Sequence, residues 1–307
     1  MAGPPAYHDN SVYDCIVLGS GPAGRSAAST LTRQCYRVAL FDPGSYGNDP
    51  QGYGDHASRR GTECPLSPSS SLHIINTTID HITQPAESHF EAVSGDGRTW
   101  HGRKLVLATG VRYLFPDIAG YRECWDAGFI YADPLWYEGH EDSQRARIAG
   151  LLAIGSTAPV SRYIELARIV RNTVNHVTIY TDGNDNISSQ LVENEEMSHV
   201  TVDARPIAGL EAGPNSVTIH LHEGATNYVD FLIHEPRTEI NGPYTYQLGL
   251  DLTDSGDIRV SGPLYTTTVP SVFAVGDCAC ATKDVLQAMA TGALAAKGVS
   301  AELAAEL

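Results

Sequence analysis

The sequence predicts an α/β protein with two units of strand, turn, helix and strand, the second inserted into the first. Three observations predict this architecture. An apolar segment at residues 14–18 leads into a glycine-rich turn, an Ala/Ser-rich helical segment and a second apolar segment at residues 37–41. A second series of the same kind runs from residue 148 to residue 180. Apolar segments at residues 104–108 and 271–275 lie on either side of that second series, so the first unit resumes after it.

The turn after the first strand reads Gly-Ser-Gly-Pro-Ala-Gly and is the most informative segment of the chain. Gly19 permits the tight turn, Gly21 allows a pyrophosphate to approach the backbone, and Gly24 allows close packing of the helix. The N-terminus of that helix favours phosphate through its free N–H groups and its dipole. Asp42 follows Gly19 by 23 positions and is placed to accept hydrogen bonds from a ribose diol. We predict a dinucleotide site; the alternative is a purely structural strand–helix–strand unit.

The remaining elements follow from shorter apolar segments. We expect a discontinuous first domain at residues 1–127 and 242–307, and a second domain at residues 128–241. In the second domain, strand Ile148–Ile154 is followed by helix Val160–Asn172 and strand His176–Tyr180. Further expected elements of the first domain are the strands Leu72–Asn76, His89–Val93, Thr99–Trp100, Lys104–Ala108 and Ile258–Val260 and the terminal helix Lys283–Leu303.

Composition excludes several classes of function. The 307 residues, 42% hydrophobic and 18% charged, are typical of a globular protein of about two domains. A net charge of −16 disfavours nucleic acid and anionic membrane surfaces as partners. No apolar run reaches the roughly 18 residues of a membrane-spanning helix, and residues 1–10 lack the features of a secretion signal. We therefore expect a cytoplasmic protein, whose six cysteines are thiols rather than a disulfide framework.

Four segments in a fixed order extend the prediction to a family. They are residues 17–24 (VLGSGPAG), 107–110 (LATG), 272–278 (VFAVGDC) and 287–292 (QAMATG). This combination resembles the two-dinucleotide-domain flavoproteins, and within them the small thioredoxin-reductase-like branch. The resemblance covers nearly the whole chain. It implies two Rossmann-like dinucleotide-binding domains, the second inserted into the first, in the FAD/NAD(P)-binding fold.

The same resemblance implies FAD as the cofactor. The first-turn glycines would hold the pyrophosphate, Asp42 the adenosine ribose, and Asp277 a ribityl hydroxyl. The helix that starts near Val285 would direct its positive N-terminus toward the pyrimidine edge of the flavin, where negative charge collects on reduction. No metal site is expected. The residues expected to bind the cofactor are Gly19, Gly21, Pro22, Ala23, Gly24, Asp42, Thr109, Gly110, Gly276, Asp277 and Val285.

A first departure from that branch concerns sulfur chemistry. Thioredoxin reductases carry a redox-active Cys-x-x-Cys pair just before the first strand of the second domain. In the matching stretch, residues 132–142, those two positions hold Asp133 and Trp136. Neither side chain can form a disulfide, so we expect no dithiol relay. Cys278 and Cys280 do not replace the pair, because a one-residue spacer strains a disulfide.

A second departure concerns the nicotinamide nucleotide. The turn after residues 148–154 keeps Gly155 but lacks the second and third glycines, so close approach of a pyrophosphate is difficult. Beyond Tyr180, where NADPH-dependent members place basic residues for the 2′-phosphate, this chain has Asp182. We expect no working NADPH site, although Asp182 could in principle accept hydrogen bonds from an NAD ribose. The flavin-dependent oxidases of fungal secondary metabolism, including the gliotoxin-type dithiol oxidases, share this loss.

The resemblance and its two departures imply an FAD-dependent oxidase or dehydrogenase of a small secondary metabolite. O2 would reoxidise the flavin, and a homodimer is expected because members of this branch are often dimers. The catalytic candidates replace the cysteine motif: Asp133 and His140 as bases, and Trp136 and Tyr137 as walls of a dry pocket. The alternatives are a non-redox isomerase, dehydratase or cyclase containing FAD, an NAD(P)H-dependent reductase, and a non-catalytic FAD-binding protein.

Overall fold

The computed structural model describes residues 12–42, 44, 71–132, 148–155, 158–194, 197 and 200–306. These residues form two compact units. Unit 1 contains the described residues up to 112 together with residues 239–306, and unit 2 contains residues 113–238. Within the described ranges, none of the helices combines the length and the apolar character that crossing a bilayer requires.

The strands are numbered β1 to β17 and the helices α1 to α6 in chain order. The strands are β1 Val12–Leu18, β2 Val38–Phe41, β3 Leu72–Ile75, β4 Ile79–Ala86, β5 His89–Ser94, β6 Thr99–Leu107, β7 Val111–Leu114, β8 Ile130–Tyr131, β9 Ile148–Leu152, β10 His176–Tyr180, β11 Thr201–Asp203, β12 Ile207–Ala212, β13 Val217–Leu221, β14 Thr226–Val229, β15 Phe231–Ile233, β16 Arg237–Ile240 and β17 Val272–Ala274. The helices are α1 Pro22–Thr32, α2 Tyr121–Asp126, α3 Val160–Arg171, α4 Asp185–Val192, α5 Tyr244–Leu248 and α6 Val285–Ala305.

Unit 1 is built on one mixed sheet in the order β3-β2-β1-β6-β5-β4. Strands β3, β2, β1 and β6 are parallel, and β5 and β4 continue the sheet in antiparallel fashion. The edge of β6 that does not face β1 is shared, because its first half pairs with β5 and its second half with β17. The prediction of separate strands at 99–100 and 104–108 was therefore wrong. Two different partners keep the whole of residues 99–107 extended.

Small residues bring the two long helices of unit 1 close together. A Cβ atom added to Gly292 of α6 would lie 2.1 Å from the carbonyl oxygen of Ala23 in α1, a distance that no side chain could occupy. Ser26 of α1 also donates a 2.7 Å hydrogen bond from its hydroxyl to the carbonyl of Met289. The predicted strand Ile258–Val260 is absent from the described sheets, since Ile258 forms only an isolated bridge with Leu252.

Unit 2 has a five-stranded parallel sheet in the order β11-β10-β9-β15-β8 and a separate antiparallel sheet of β12, β13 and β14. Its helix α3 packs on the parallel sheet through residues such as Tyr163 and Leu166. Residues 113–127, which the sequence analysis placed in the first domain, belong to unit 2. The reason is apolar packing: Tyr121 and Trp125 of α2 are buried in one cluster with side chains of β9, β12 and β13.

Candidate functional site

The first glycine turn lies between the end of β1 and the start of α1, and its three glycines differ in their surroundings. Gly19 has a φ of +104°, and a Cβ atom there would lie 2.2 Å from the carbonyl oxygen of Ala108. A Cβ at Gly24 would lie 1.9 Å from the carbonyl oxygen of Gly19. A Cβ at Gly21 would meet nothing within 4 Å. Two of the glycines are therefore required by the fold of the turn itself, whereas the third leaves open space above the backbone at the N-terminus of α1.

Pro22 is the first residue of α1, a position that needs no N–H donor and suits the φ of proline. The N-cap residue, Gly21, has no side chain with which to cap this helix N-terminus. The N–H groups of the first turn therefore keep the capacity to bind an external acceptor. At the end of β2, Asp42 accepts a 2.8 Å hydrogen bond from the Gly44 amide through one carboxylate oxygen.

A second turn, at Thr109 and Gly110, follows β6 beside the first. Gly110 has a φ of +63°. Asn241, at the end of β16, holds this turn by donating its side-chain amide to the carbonyl of Thr109 (3.1 Å) and its backbone N–H to the carbonyl of Gly110 (3.1 Å). The Thr109 hydroxyl is buried and has no hydrogen-bond partner among the described residues. Sequence reasoning missed Asn241, since a single polar residue after a short strand carries no signal by itself.

The third turn, Gly276-Asp277, follows β17 and closes against the first. Gly276 has a φ of +68°, and a Cβ there would lie 2.8 Å from the Cβ of Ala23. Its amide donates a 3.0 Å hydrogen bond to the Thr291 hydroxyl of α6. No donor in the described part of the chain hydrogen-bonds to the carboxylate of Asp277, and burial raises the pKa of this group to about 6. A buried carboxylate that lacks a hydrogen-bond donor is stabilised by any ligand that donates a hydrogen bond to it.

The loop between this turn and α6 is held by Lys283, another residue that sequence reasoning missed. Its ammonium group donates hydrogen bonds to the carbonyls of Asp277 (2.7 Å) and Cys280 (2.6 Å) and to the carboxylate of Asp257. Helix α6 begins at Val285, as expected, and Asp284 caps it by accepting a 2.8 Å hydrogen bond from the Gln287 amide. One lysine therefore fixes the backbone between the third turn and the start of α6.

The corresponding turn of unit 2 has a different character. Gly155 follows β9 with a φ of +62°; the next two residues, 156 and 157, lie outside the described residues. Asp182, the acid after β10, has a φ of +49° and accepts a 2.6 Å hydrogen bond from the backbone amide of Ile207. Its carboxylate thus links the turn after β10 to the start of β12 and already has a hydrogen-bond partner within unit 2.

The start of helix α3 carries an internal ion pair. The guanidinium of Arg162 donates through Nε to both carboxylate oxygens of Glu235, at 3.2 and 3.1 Å, and through a terminal nitrogen to Glu165 at 2.8 Å. These carboxylates raise the pKa of Arg162 further above its ordinary value. Arg162, the basic residue nearest the start of α3 in the described sequence, is therefore already paired with two carboxylates of unit 2.

Beside Gly155 lies a buried histidine. His234 Nε2 lies 3.1 Å from the carbonyl of Ile154, so this nitrogen carries the proton, and Nδ1 accepts a 2.7 Å hydrogen bond from the Tyr121 hydroxyl. Burial lowers the pKa of His234 to about 4, so the ring is neutral at pH 7.

A pocket adjoins this histidine and has a volume of about 170 Å³. Typical ligand sites are larger, with volumes of roughly 300–1,000 Å³. It is lined by Leu114, Phe115, Pro116, Gly155, His234 and Arg237.

Comparison with known proteins assigns this arrangement to a family. Residues 13–293 match the model of the pyridine nucleotide-disulphide oxidoreductases. The chain belongs to this family. It is 32% identical to thioredoxin reductase sirT of Leptosphaeria maculans over 94% of either chain. It is 33% identical to thioredoxin reductase aclD of Aspergillus oryzae over 95% of this chain and 97% of that protein.

Solved structures agree with this assignment at the level of the fold. Thioredoxin reductase from Streptococcus pyogenes has a TM-score of 0.73 to this chain at 18% identity, covering 97% of this chain and 100% of the other. The protein HlmI has a TM-score of 0.75 at 23% identity, covering 97% and 94%. The predicted resemblance to thioredoxin-reductase-like proteins and the predicted two-domain fold are confirmed, and the protein is a flavin oxidoreductase.

For a member of a disulphide oxidoreductase family, four of the five described cysteines are poorly suited to thiolate chemistry, because they are buried, whereas Cys35 is exposed. Burial raises the pKa of both Cys124 and Cys278 to about 11, and raises the pKa of Cys15 and Cys280 as well. The Cys278 thiol donates a 3.2 Å hydrogen bond to the carbonyl of Val275. Because the nucleophilic form of cysteine is the thiolate, these four thiols are inert near neutral pH.

The structure brings together one group of predicted residues and leaves another undescribed. The first turn, the Thr109 turn and the Gly276 turn meet through the close contacts of Gly19 with Ala108 and of Gly276 with Ala23. The four catalytic candidates lie in residues 133–147, outside the described residues. They are Asp133, Trp136, Tyr137 and His140.

Proposed function

We propose that this protein is an FAD-dependent oxidase or dehydrogenase of a small secondary metabolite, with no dithiol relay and no working NADPH site. One contrast carries the proposal. Two ligand-facing groups of unit 1, the carboxylate of Asp277 and the hydroxyl of Thr109, have no hydrogen-bond partner among the described residues. In unit 2, by contrast, the carboxylate of Asp182 and the guanidinium of Arg162 are engaged by other groups of the same unit.

The residues of unit 1 fit FAD. The open space at Gly21 and the uncapped N-terminus of α1 suit a pyrophosphate, which needs close backbone approach and N–H donors. The Asp277 carboxylate suits a hydroxyl donor such as a ribityl group, and the Thr109 hydroxyl suits a polar edge of the cofactor. FAD bound there would supply a two-electron acceptor, which O2 could reoxidise. The other proposed cofactor residues are Gly19, Pro22, Ala23, Gly24, Asp42, Gly110, Gly276 and Val285.

The protein's own residues would prepare the substrate for oxidation. Asp133 and His140 are the proposed bases that take a proton from the metabolite, and His140 has the ordinary pKa closer to neutrality. Trp136 and Tyr137 are the proposed walls that exclude water from the reacting centre. The replacement of the family's cysteine pair by Asp133 and Trp136 supports direct electron transfer from the metabolite.

The decisive experiment follows the flavin absorbance under anaerobic conditions. We expect NADPH and NADH to leave the flavin oxidised, whereas a chemical reductant bleaches it and a metabolite extract of the producing cells bleaches it through the true substrate. Readmitted O2 should restore the absorbance with one hydrogen peroxide per flavin. Asp133→Asn and His140→Gln should retain flavin and lose bleaching by the extract. Rapid bleaching by NADPH in the wild type would refute the proposal.

A matched variant separates the roles of Asp182. Asp182→Asn keeps an oxygen acceptor for the Ile207 amide, and asparagine tolerates a positive φ. If Asp182 serves only this contact, the variant keeps its stability, and neither protein oxidises NADH.

A non-redox function would instead give product from the extract without O2 uptake and without flavin bleaching, which would favour an isomerase, dehydratase or cyclase.

A further inference from the structure

Three potential metal ligands lie together on one face of the unit 1 sheet. His89 and Glu91 both belong to β5, two positions apart, so their side chains project from the same face. His101 of β6 is directly opposite Glu91 in the antiparallel register. Directly opposed side chains of an antiparallel pair are neighbours in space. The strand pairing thus places two imidazoles and one carboxylate in a single cluster.

The distances within this cluster suit a shared metal ion. Glu91 Oε1 lies 3.7 Å from Nε2 of His89 and 3.9 Å from Nδ1 of His101. In a tetrahedral site with bonds of about 2.1 Å the ligand atoms lie about 3.4 Å apart, so each of these two distances needs to shorten by only about 0.3 to 0.5 Å. The ligand atoms of all three residues lie within 4.8 Å of one another. A side-chain rotation of His89, which is half-exposed, would bring the two imidazole nitrogens into range as well.

The state of His101 is a second observation. Its Nδ1 atom, the nitrogen nearest Glu91, is shielded from solvent and has no hydrogen-bond partner among the described residues. A shielded imidazole nitrogen without a partner loses the hydrogen bond it would make to water. The rings of His89 and His101 are also stacked, with centroids 5.3 Å apart and planes inclined by 21°. Stacking therefore holds the two imidazoles side by side, next to the carboxylate of Glu91.

We propose that His89, Glu91 and His101 form a binding site for a divalent transition metal of the Zn²⁺ or Cu²⁺ class. Two imidazoles and a carboxylate select these ions over Ca²⁺ and Mg²⁺, which prefer oxygen ligands alone. The side chains of His89 and Glu91 are 37–40% exposed, so an ion can reach the cluster from their side and water can complete its coordination. A net charge of −16 also favours cation binding. This site is not evident from the sequence alone, because its ligands come from two strands.

The test measures metal binding to the flavin-containing protein without an affinity tag. The background carries Cys35→Ser and Cys64→Ser to remove competing thiols. Titration calorimetry with Zn²⁺ should give one equivalent in this background. His101→Ala and Glu91→Gln should each weaken binding by at least about tenfold, since even outer-shell changes cost 10–100-fold. With Cu²⁺ as the probe, electron paramagnetic resonance should show coupling to two nitrogens, and to one nitrogen in His101→Ala.

A matched control uses a histidine–carboxylate pair that lacks a third ligand. His220 Nε2 lies 3.1 Å from Glu211 Oε2 on the separate sheet of unit 2. His220→Ala should leave the Zn²⁺ stoichiometry and affinity unchanged. Unfolding curves in EDTA should show that both cluster variants remain folded, and Glu91→Gln keeps the shape of the side chain. Equal Zn²⁺ affinity in the parent and both cluster variants, or the same loss in His220→Ala, would overturn the proposal.

Discussion

The unpartnered carboxylate of Asp277 makes a quantitative prediction about cofactor binding. Burial raises its pKa to about 6 in the flavin-free protein. The folded chain therefore binds this proton more tightly than the unfolded chain, so the contribution of Asp277 to stability falls as pH rises from about 4 to about 6 and is constant above that. A ligand hydroxyl that donates to the carboxylate favours the charged form and lowers the pKa again. Binding of FAD should then release a proton in this range.

The size of the effect follows from the two pKa values. With a pKa of about 6 before binding and about 4, the ordinary value, after it, linkage makes the affinity rise about ninefold between pH 5 and pH 7. Above pH 7 the carboxylate is charged in both states, and the affinity should become independent of pH. Replacement by asparagine removes the titrating group and should remove the slope.

The assay is a titration of the flavin-free protein with FAD, followed by quenching of flavin fluorescence at half-unit intervals from pH 5 to pH 8. Asp277→Asn is the variant, and Asp254→Asn, on a neighbouring exposed loop, is the control that should keep the wild-type slope. An affinity in the wild type that does not change over this range, or an unchanged slope in Asp277→Asn, would refute the assignment of Asp277 to a ligand hydroxyl.

Two further predictions concern the first turn and the buried histidine. Gly21→Ala should unfold at the wild-type temperature but purify with less flavin, because the φ of −65° suits any residue and the new methyl group enters open space. Gly24→Ala should also lose about 1–3 kcal/mol of unfolding free energy, since its methyl group overlaps the backbone. Equal stability of the two variants would contradict this. Tyr121→Phe should lower the free energy of unfolding in urea by about 1–3 kcal/mol, because the buried Nδ1 of His234 loses its hydrogen-bond donor. The control Tyr246→Phe, at a residue that is 91% exposed, should leave the free energy of unfolding unchanged.

Much of the fold could be predicted because its signals are local. The strand His176–Tyr180 and the start of helix α3 at Val160 agree with the sequence prediction, since an apolar run bounded by turn residues contains its own limits. Strand β4 was missed, because its alternation of polar and apolar residues is interrupted and it lies at the edge of the sheet. The continuity of β6 was missed because it depends on partners from distant parts of the chain.

The amino-acid sequence by itself determined the family and the glycine turns, because both depend on residue type and on spacing along the chain. Only the tertiary structure decided which polar groups have partners. It shows that Asp182 is engaged by a backbone amide of another segment, whereas Asp277 is not engaged by any described donor. It also places His101 opposite Glu91. Hydrogen bonding and strand pairing join residues distant in sequence, so spacing along the chain carries no record of them.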